Sequence, residues 1–449
     1  MLPPSPDQPL IRLVVEQDLC IACGACVAAC PRANIRPIFQ RGRGAEEIEV
    51  IAEATCTGCP QPCDAVCPSL TVDFARQRAA RTGETERVPP PARDGWMESV
   101  HLGWSPVFQD DAAASSGGIL RALVAHALTT GTPVVCLARD PAGGAFRPRL
   151  LTTPGQLPDV PGSIYHSTSF AEAIAEIRQA PAPVLLVAIP CQLAGILNFV
   201  AHQEPALGRK IGLVCGLVCG WMYSFHALWA FAGHKGIARP DFAATTYRGG
   251  DRVGPLRLVQ DGVVHAFPRR EFATRREALD YRSSFSTDFN RQRCRVCEDH
   301  LNMGADLVTG DAWLARCAPR KLSIIGCRTA RGRAALAVLE KLGHVRLEPA
   351  TFADFTESQS PDLVHGTRAR RTARLLREQG TPTPRFAFAD AEAPVAAGLG
   401  DRIALSAEHR RRALLHAGHY RLYRWYYALR HPWMVVRFAA RALLRTKKP

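Results

Sequence analysis

The sequence predicts a small α+β domain, then a larger α/β domain with a mixed, largely parallel sheet, and finally a basic helical C-terminal tail. The small domain is predicted from two runs of cysteines that end before residue 70. The larger domain is predicted from apolar strands that alternate with helices from residue 115 onward. The tail is predicted from its charge, because 11 Lys and Arg residues and no Asp or Glu follow Glu408.

Cysteine usage narrows the class of protein further. Sixteen cysteines occur in 449 residues, and most of them stand in short clusters at metal-ligand spacing. A disulfide scaffold is typical of short secreted chains, whereas residues 1–10 lack the order of a secretory signal. No uncharged run is long enough to span a bilayer. The sequence therefore predicts a cytoplasmic protein whose thiolates are available to iron.

The first cysteine run contains Cys20, Cys23, Cys26 and Cys30, and a proline follows the last of them. Its spacing, C-x2-C-x2-C-x3-C-P, is that of bacterial ferredoxins, in which three close thiolates hold one cubane cluster and the fourth cysteine holds the other. We expect Gly24 to let the backbone approach the cluster sulfides. The run predicts a ferredoxin-like fold for the N-terminal domain, over residues 10–75.

The second run contains Cys56, Cys59, Cys63 and Cys67, with one extra residue between its second and third cysteines, and it also ends in Cys-Pro. Exchange of the fourth cysteines between the runs predicts two [4Fe–4S] clusters. The first group of ligands is then Cys20, Cys23, Cys26 and Cys67, and the second group is Cys56, Cys59, Cys63 and Cys30. The alternative is a pair of zinc sites, which the two matched Cys-Pro endings disfavour.

Apolar periodicity assigns the remaining elements. Residues 12–16 predict a strand before the first run, and the charged, then Pro-rich stretch 76–96 predicts a linker. Residues 242–272 are strand-like, and residues 360–408 are weakly patterned. In the larger domain the pattern predicts helices at 115–130, 169–178 and 331–341 and buried strands at 132–138, 183–189 and 211–217.

Eight cysteines lie in the larger domain. Cys294 and Cys297 form a short chelate that needs two more thiolates. Cys191 and Cys219 each follow an apolar strand, and the carboxyl ends of parallel strands meet at one edge of a sheet. A third cluster at that edge is one interpretation, but spacing alone does not pair distant cysteines. The cysteines that are expected to be unligated thiols are Cys136, Cys317 and Cys327.

Four stretches of the larger domain, in order and together, resemble the beta subunit of the coenzyme F420 hydrogenase/dehydrogenase family. They are residues 116–123 (SGGILRAL), 187–192 (VAIPCQ), 211–219 (IGLVCGLVC), and 294–297 (CRVC) followed by 304–311 (GADLVTGD). The resemblance implies one FAD and one further [4Fe–4S] cluster in this domain. It also implies the ligands of that cluster, which we call the third group: Cys191, Cys219, Cys294 and Cys297. Cys215 is a candidate substitute for Cys219.

Candidate flavin contacts lie in the same stretches. Residues 115–118 open a helix, where backbone N–H groups favour an anion such as a flavin or substrate phosphate; the alternative is an ordinary helix cap. Residues 310–313 place a carboxylate and a tryptophan near the flavin, or else form a turn with a core tryptophan. The candidate cofactor-binding residues are Ser116, Gly117, Gly118, Gln192 and Asp311. No catalytic residue is assigned, and no G-x-G-x-x-G loop for a dinucleotide occurs.

These features predict an iron–sulfur flavoprotein oxidoreductase that passes electrons between a carrier and an organic acceptor. The expected carrier is a ferredoxin or a reduced deazaflavin of the F420 type. The expected order is external donor, ferredoxin-type clusters, third cluster, flavin and substrate, because a flavin joins one-electron to two-electron chemistry. The alternatives are a non-catalytic electron-relay subunit of a larger redox complex and a zinc-stabilised binding protein.

The predicted domains are residues 10–75 with two clusters, a linker at 76–110, the flavin and iron–sulfur domain at 111–360, a variable segment at 361–408 and the tail at 409–449. Pro432 is expected to divide the tail into two short helices. The tail combines cations with aromatic residues, so it fits an anionic membrane surface, an acidic ferredoxin, or a helix packed on the core. The rest of the chain carries only +4 of the net charge of +15, which argues against a nucleic-acid partner.

Overall fold

The computed structural model describes residues 10–83, 95–141, 146–250, 254–268, 274–388 and 397–431. The strands in chain order are β1 (Ile35–Gln40), β2 (Ala45–Val50), β3 (Thr71–Val72), β4 (Ser99–Trp104), β5 (Val134–Arg139), β6 (Phe146–Leu151), β7 (Val184–Ala188), β8 (Ile211–Leu217), β9 (Asp241–Thr246), β10 (Leu256–Gln260), β11 (Val263–Phe267), β12 (Leu307–Asp311), β13 (Ser323–Cys327), β14 (Arg346–Ala350) and β15 (Arg385–Phe386). The α-helices are α1 (Ile11–Glu16), α2 (Ala25–Ala29), α3 (Pro62–Val66), α4 (Phe74–Thr82), α5 (Ile119–Thr129), α6 (Ala173–Gln179), α7 (Pro190–His202), α8 (His226–Lys235), α9 (Arg275–Ser284), α10 (Gln292–Arg295), α11 (Ala330–Lys341), α12 (Phe352–Ser358), α13 (Ser360–Glu378), α14 (Leu399–His416) and α15 (Tyr420–Arg430).

An eight-stranded mixed sheet forms the centre of the larger domain, in the order β14-β4-β13-β12-β8-β7-β5-β6. Its middle strands β12, β8, β7 and β5 are parallel, and β13 and β6 pair with them in antiparallel fashion. All positions of β7 are buried, as expected for a strand that is covered on both faces. The predicted α/β domain with a mixed, largely parallel sheet is confirmed, and β5, β7, β8, α5, α6 and α11 lie where the sequence predicts them.

The N-terminal unit, residues 10–83, is a small α+β structure. Four short helices, α1 to α4, surround the antiparallel hairpin of β1 and β2. β3 pairs in parallel with β15, which comes from the far end of the chain. A separate sheet of β11, β10 and β9 covers the predicted strand-like region at 242–272. The ferredoxin-like fold of the N-terminal unit remains a prediction.

The prediction of a strand at residues 12–16 is wrong, because these residues lie in α1. Ile11 and Val14 stand one turn apart and are both 1% exposed, so a helix buries them on one side. The Asp64 carboxylate accepts hydrogen bonds from the backbone N–H groups of Leu10 and Ile11 at 2.8 and 2.9 Å. These bonds satisfy donors at the start of the helix from a residue that lies far away in the sequence.

The segment boundaries also differ from the prediction. α4 occupies the start of the predicted linker, and the Asp73 carboxylate caps it by accepting a hydrogen bond from the Arg76 backbone at 3.0 Å. β4, predicted as the end of the linker, belongs to the main sheet. α13 and α14 fill much of the segment at 360–408, where the sequence is weakly patterned. Pro432 lies outside the described residues, and the tail helices α14 and α15 are separated at Gly418, whose φ is +79°.

The N-terminal unit packs directly on the larger domain through α4 and α7. Arg81 of α4 donates two hydrogen bonds of 2.7 Å to the carboxylate of Asp306, at the start of β12. Both side chains are buried, at 3% and 0% exposure. Gln77 donates a further hydrogen bond of 2.8 Å to Asn198 of α7. The cysteine runs are therefore held against the helix that begins with Pro190 and Cys191.

Candidate functional site

The second group surrounds a small void in the N-terminal unit. Cys30, Cys56, Cys59 and Cys63 all line this void. Cys30, Cys56 and Cys59 are half-buried, and the neighbouring Thr57 and Gly58 are exposed. The arrangement brings together the four cysteines that the sequence pattern assigns to one cluster.

Asn34 contacts the second group and was not identified from the sequence. Its backbone N–H donates to the Cys30 sulfur at 3.3 Å, and its side-chain amide donates to the Cys56 sulfur at 3.4 Å. The amide also donates to the carbonyl of Ala52 at 2.8 Å, which fixes its orientation. Hydrogen bonds to ligand sulfurs stabilise thiolate charge and tune cluster potentials, so Asn34 fits a cluster at this position.

The first group lies deeper, with each of its cysteines at 6–7% exposure. Burial raises the pKa of Cys23 and Cys26, and the neighbouring thiols Cys20 and Cys67 raise it further. Burial also raises the pKa of Cys20 to about 11 and that of Cys67 to about 12. The four thiols thus lie close enough to repel one another as anions, and a cationic iron centre would relieve that repulsion.

Close contact joins the first group to the larger domain. A methyl group at Gly195 of α7 would lie 2.6 Å from the Cys23 sulfur, so this helix packs directly on the cysteine. Gly24 has a φ of +78° and lies against the backbone of Ala171, and its approach to cluster sulfides stays a prediction. Cys191, at the start of α7, is near enough to contribute to the raised pKa of Cys23. α7 therefore spans the distance between the first group and the third group.

Three members of the third group come together at the carboxyl edge of the main sheet. Burial raises the pKa of Cys191 most, and Cys294 and Cys297 raise it further. The Cys294 sulfur accepts a hydrogen bond of 3.3 Å from the backbone N–H of Met222, which lies beyond the end of β8. The three thiols belong to α7, α10 and the loop after α10.

His300 connects the backbone at Cys219 with the backbone at Cys297. The two ring nitrogens of His300 lie 2.8 Å from the carbonyl oxygen of Cys219 and 3.1 Å from that of Cys297. Cys219 follows β8, whereas Cys215 lies within that strand and is 0% exposed. Burial raises the pKa of Cys215 most, and Cys327 and Asp306 raise it further. The thiol of Cys215 is therefore packed in the core beside the sheet. The geometry favours Cys219 over Cys215 as the fourth ligand.

The remaining predicted thiols are buried, as expected of unligated cysteines. Cys136, Cys317 and Cys327 are 2%, 2% and 0% exposed, and all the cysteines of the chain are free of disulfides. Within the described ranges, no group of three or more His, Cys, Asp or Glu side chains is arranged for a single metal ion. The assignment of ligands to clusters therefore rests on sequence pattern and on the neighbours given above.

A cavity of about 660 Å³ opens beside the third group. It lies at the carboxyl ends of β7, β8 and β12, where Ile189, Val218 and Asp311 line it. Ligands in α/β proteins bind at this edge of the sheet, and the volume is within the range of ligand pockets. Cys219 and Met222 form part of the wall, so the cavity and the third group share residues.

Four of the five predicted cofactor residues, Ser116, Gly118, Gln192 and Asp311, line this cavity. Gly118, with a φ of +80°, begins α5, and the first turn of that helix faces the cavity. Gly117 lies behind the wall, because a methyl group there would be 2.3 Å from the carbonyl oxygen of Gly103. The Ser116 hydroxyl is 2.6 Å from the Ser323 hydroxyl, so it anchors the loop to β13.

Arg248 was not identified as a site residue from the sequence. Its guanidinium forms an ion pair with Asp311 and stacks over the Trp313 ring, with 5.4 Å between the Arg248 Cζ and the ring centroid. Burial lowers the pKa of Arg248, but Asp311 and Tyr165 together more than reverse this effect, so the net pKa is raised. The predicted carboxylate is therefore present in the cavity but is neutralised by a cation. The sequence placed Arg248 only in the strand-like region at 242–272 and gave no sign of a role in the site.

Comparison with protein families agrees with these observations. Residues 182–352 match the family described as the C terminus of the coenzyme F420 hydrogenase/dehydrogenase beta subunit. Residues 19–70 match the 4Fe–4S dicluster domain. The two matched ranges include all the cysteines of the first, second and third groups. The N-terminal unit is thus an iron–sulfur domain, and the resemblance seen in the motifs is confirmed.

The individual proteins that this chain resembles share either a low sequence identity or only a short stretch with it. The chain is 23% identical over 338 residues to the F subunit of the F(420)H(2) dehydrogenase of Methanosarcina mazei, across 68% of this chain and 80% of that protein. It is 75% identical over 20 residues to a ferredoxin of Pyrobaculum islandicum, across 4% of this chain and 19% of the ferredoxin. A chain of the F420-reducing [NiFe] hydrogenase complex from Methanosarcina barkeri superposes with a TM-score of 0.49 at 16% identity, over 66% of this chain and 98% of that one.

Proposed function

We propose that the protein is an iron–sulfur flavoprotein oxidoreductase, because residues 182–352 match the family of coenzyme F420 hydrogenase/dehydrogenase beta subunits and residues 19–70 match a 4Fe–4S dicluster domain. It passes electrons between a ferredoxin-like or F420-like carrier and an organic acceptor. Two [4Fe–4S] clusters are held by the first and second groups, a third by the third group, and FAD by the adjoining cavity.

The observation that carries this proposal is the continuous chain of neighbours from the surface to the cavity. Three cysteines of the second group are half-buried, and the fourth, Cys63, lies close enough to Cys30 for that thiol to add to the rise in its pKa that burial causes. The first group follows, with Cys26 near Cys63. Cys23 then lies near Cys191 of the third group, and Cys219 lines the cavity. Such an order suits one-electron steps between neighbouring centres.

The cavity fits a flavin nucleotide on three grounds. The first turn of α5 offers backbone N–H groups to a phosphate, Gln192 offers an amide at 4% exposure, and the aromatic residues Tyr165 and Trp221 border the space. The flavin, when bound, would join one-electron transfer to two-electron chemistry. The chain itself would orient the ring system and exclude water, with the Arg248–Asp311 pair as a fixed dipole in the wall.

Cofactor analysis of anaerobically purified protein tests the proposal. We expect about 12 iron and 12 sulfide per chain, from three cubane clusters, together with about one FAD and little zinc. Cys219→Ala should lose about four iron, whereas the matched variant Cys215→Ala should keep all of them, because Cys215 lies inside β8. About eight iron in the wild type, or equal iron in the two variants, would contradict a third cluster at this site.

A role as a relay within a larger complex is the second candidate function. The relative from Methanosarcina mazei is named as a subunit of a dehydrogenase, which favours a role inside a larger complex with the substrate site on a partner. Protein that contains the clusters but no flavin, and that reduces no acceptor in a screen of donors, would favour this candidate. Stoichiometric FAD with turnover of a small acceptor would favour the oxidoreductase.

The tail is proposed to contact an anionic membrane surface. Part of it packs on the core, where Arg411 pairs with Asp288 at 2.8 Å. Helix α15 leaves Leu422, Trp425 and Leu429 exposed to solvent, with exposed fractions of 59%, 63% and 81%. Basic residues lie next to them along the sequence. No helix among the described residues is long and apolar enough to cross a membrane.

Vesicle sedimentation tests this contact. Replacement of Leu422, Trp425 and Leu429 by serine should reduce pelleting with anionic vesicles at least about fivefold, because the three apolar side chains that enter the membrane surface would be lost. Neutral vesicles serve as the control. Equal pelleting of the variant and the wild type would contradict the membrane contact.

A further inference from the structure

Arg293 is a fully buried cation at the centre of the cysteine groups. It lies in α10, immediately before Cys294, and is 1% exposed. Its Nη2 donates a hydrogen bond of 3.1 Å to the carbonyl of Pro68, which follows Cys67 of the first group. Its guanidinium stacks on Phe386 at 5.5 Å from the ring centroid. The side chain thus reaches from the third group to the backbone beside the first group.

Two nitrogens of Arg293 lack partners. Nε and Nη1 are buried and meet no acceptor at full hydrogen-bond geometry in the described part of the chain, although the guanidinium lies against the Cys297 thiol. Unpaired buried N–H groups cost free energy, and a guanidinium carries five donors in a fixed plane. A group that accepts hydrogen bonds is therefore expected next to these two nitrogens.

The thiols of the third group lie beside this cation. Burial lowers the pKa of Arg293, but Cys297, Cys191 and Cys294 raise it, and their effect prevails. In return, Arg293 lowers the pKa of Cys191 and Cys297, although burial keeps both pKa values raised. The sulfurs of a cluster on these cysteines are suitable acceptors for the unpaired N–H groups.

A neighbouring arginine, Arg291, has the carboxylate partners that Arg293 lacks. Arg291 is also 1% exposed, but it pairs with the carboxylates of Asp18 and Glu47 at 2.8 and 2.7 Å. For Arg293, the described part of the chain provides a carbonyl and an aromatic ring and no paired carboxylate. The charge of Arg291 is thus balanced by protein groups, whereas that of Arg293 is left to the cysteine groups.

We propose that Arg293 sets the reduction potential of the third cluster, by donating its two unpaired N–H groups to cluster sulfurs and by placing its charge beside them. The inference rests on the third cluster of the proposed function. A cubane becomes more negative by one charge when it accepts an electron, so a buried cation stabilises the reduced state and raises the potential. An electron that reaches the third cluster would come from the first cluster, which would be oxidised by one electron in the same step.

The same geometry predicts a gradient among the three clusters. The third cluster is affected most, because three of its cysteines adjoin Arg293. The first cluster is affected less, through Cys67, whose pKa is raised by burial and lowered only slightly by Arg293. The cysteines of the second group do not adjoin Arg293 among the described contacts. Electrons that enter at the second group are therefore drawn toward the cluster beside the cavity.

Redox titration with dithionite, followed by electron paramagnetic resonance, tests the proposal. Arg293→Gln should shift the reduced-to-oxidised ratio of the third cluster at least tenfold toward oxidised at fixed potential, or about 59 mV for one electron. Arg293→Lys keeps the charge but loses the planar fork, so its shift should be about threefold. The second cluster serves as an internal reference, and Arg295→Lys, which alters an arginine that pairs with Glu408, is the matched control.

The outcomes separate this proposal from the proposed function. If the wild type has about eight iron and its signals do not change in Cys219→Ala, the third cluster is absent and the proposed function fails. If the third cluster is present but its potential is unchanged in both Arg293 variants, the role of Arg293 is overturned. Should Arg293→Gln lose iron, the lysine variant decides, and an unshifted potential in that variant overturns the proposal.

Discussion

The first and second cysteine groups have nearly the same spacing in sequence, yet one is covered by the larger domain and the other faces solvent. All the cysteines of the first group are buried, whereas three of the second group are half-buried. Cys23 contacts α7, and the carbonyl beside Cys67 accepts a hydrogen bond from Arg293. The second group instead adjoins the exposed residues Thr57 and Gly58.

The ligand motif alone therefore does not decide the place of a cluster in an electron path. That place depends on whether protein or solvent surrounds the cysteines. A centre near the surface is accessible to an external carrier. A centre packed between two domains is accessible only to other centres of the same protein. The first group is therefore the expected link between the domains, and the contacts that bury it can be tested one at a time.

The largest expected effect comes from the buried ion pair between the domains. Arg81→Met should destabilise the protein by about 3–5 kcal/mol, because it leaves Asp306 as an uncompensated buried charge. Urea unfolding under anaerobic conditions measures this loss. Arg12→Met is the control, since the Arg12–Glu16 pair is exposed and contributes about 0.5 kcal/mol or less. Equal losses in the two variants would show that the domains are not held together by this pair.

Steric pressure on the first group should have the next largest effect. Gly195→Ala places a methyl group 2.6 Å from the Cys23 sulfur, so we expect a loss of about 1–3 kcal/mol and a loss of iron from the first cluster. Gly233→Ala is the matched change in α8, where a methyl group meets nothing within 4 Å. It should be neutral or stabilise by up to about 1 kcal/mol. Retention of all iron in Gly195→Ala would contradict direct packing of α7 on the cluster.

The two groups should also differ in the rate at which they lose iron. A ferrous chelator should remove iron from the half-buried second group at least tenfold faster than from the first, a barrier difference of about 1.4 kcal/mol. Cys59→Ala should abolish the fast phase, whereas Cys26→Ala should keep the fast phase and remove about four iron from the slower release. A single phase in the wild type, or loss of the slow phase in Cys59→Ala, would contradict the difference in accessibility.

The sequence predicted local features well and long-range ones poorly, for physical reasons. Three cysteines of each N-terminal group stand in one short run, so spacing alone could assign them to a group, and the assignment of the groups to clusters stays a prediction. Cys191, Cys219 and Cys294 come from separate elements of the fold, so only the family resemblance could join them. α1 was mistaken for a strand because its cap is Asp64, more than 50 residues away. Arg248 and Arg293 gave no signal, since their partners are distant in sequence.

The smallest expected effect concerns the tail helix that covers the backbone near the first group. His416 of α14 stacks on His226 with ring centroids 5.2 Å apart. The neighbouring Arg412 pairs with Asp18, two residues before Cys20. Burial, followed by Arg412, lowers the pKa of His416 to about 4. The folded protein thus keeps this ring neutral at pH values where the unfolded chain, with a pKa of about 6.5, protonates it.

The stability that His416 contributes is therefore present above about pH 6.5 and is lost as the pH falls toward 4. Between pH 7.5 and 5.5 we expect a loss of about 1 kcal/mol, reduced by the partial exposure of the ring. His416→Phe keeps a ring at this position and should reduce the loss of stability between the two pH values by about 1 kcal/mol, as measured by urea unfolding, whereas buried histidines such as His166 and His234, whose pKa is also lowered by burial, keep their share of the pH dependence. His419→Phe changes an exposed histidine of the same loop and should leave the dependence intact. If both variants retain the wild-type slope, the stacked pair does not couple pH to the docking of α14.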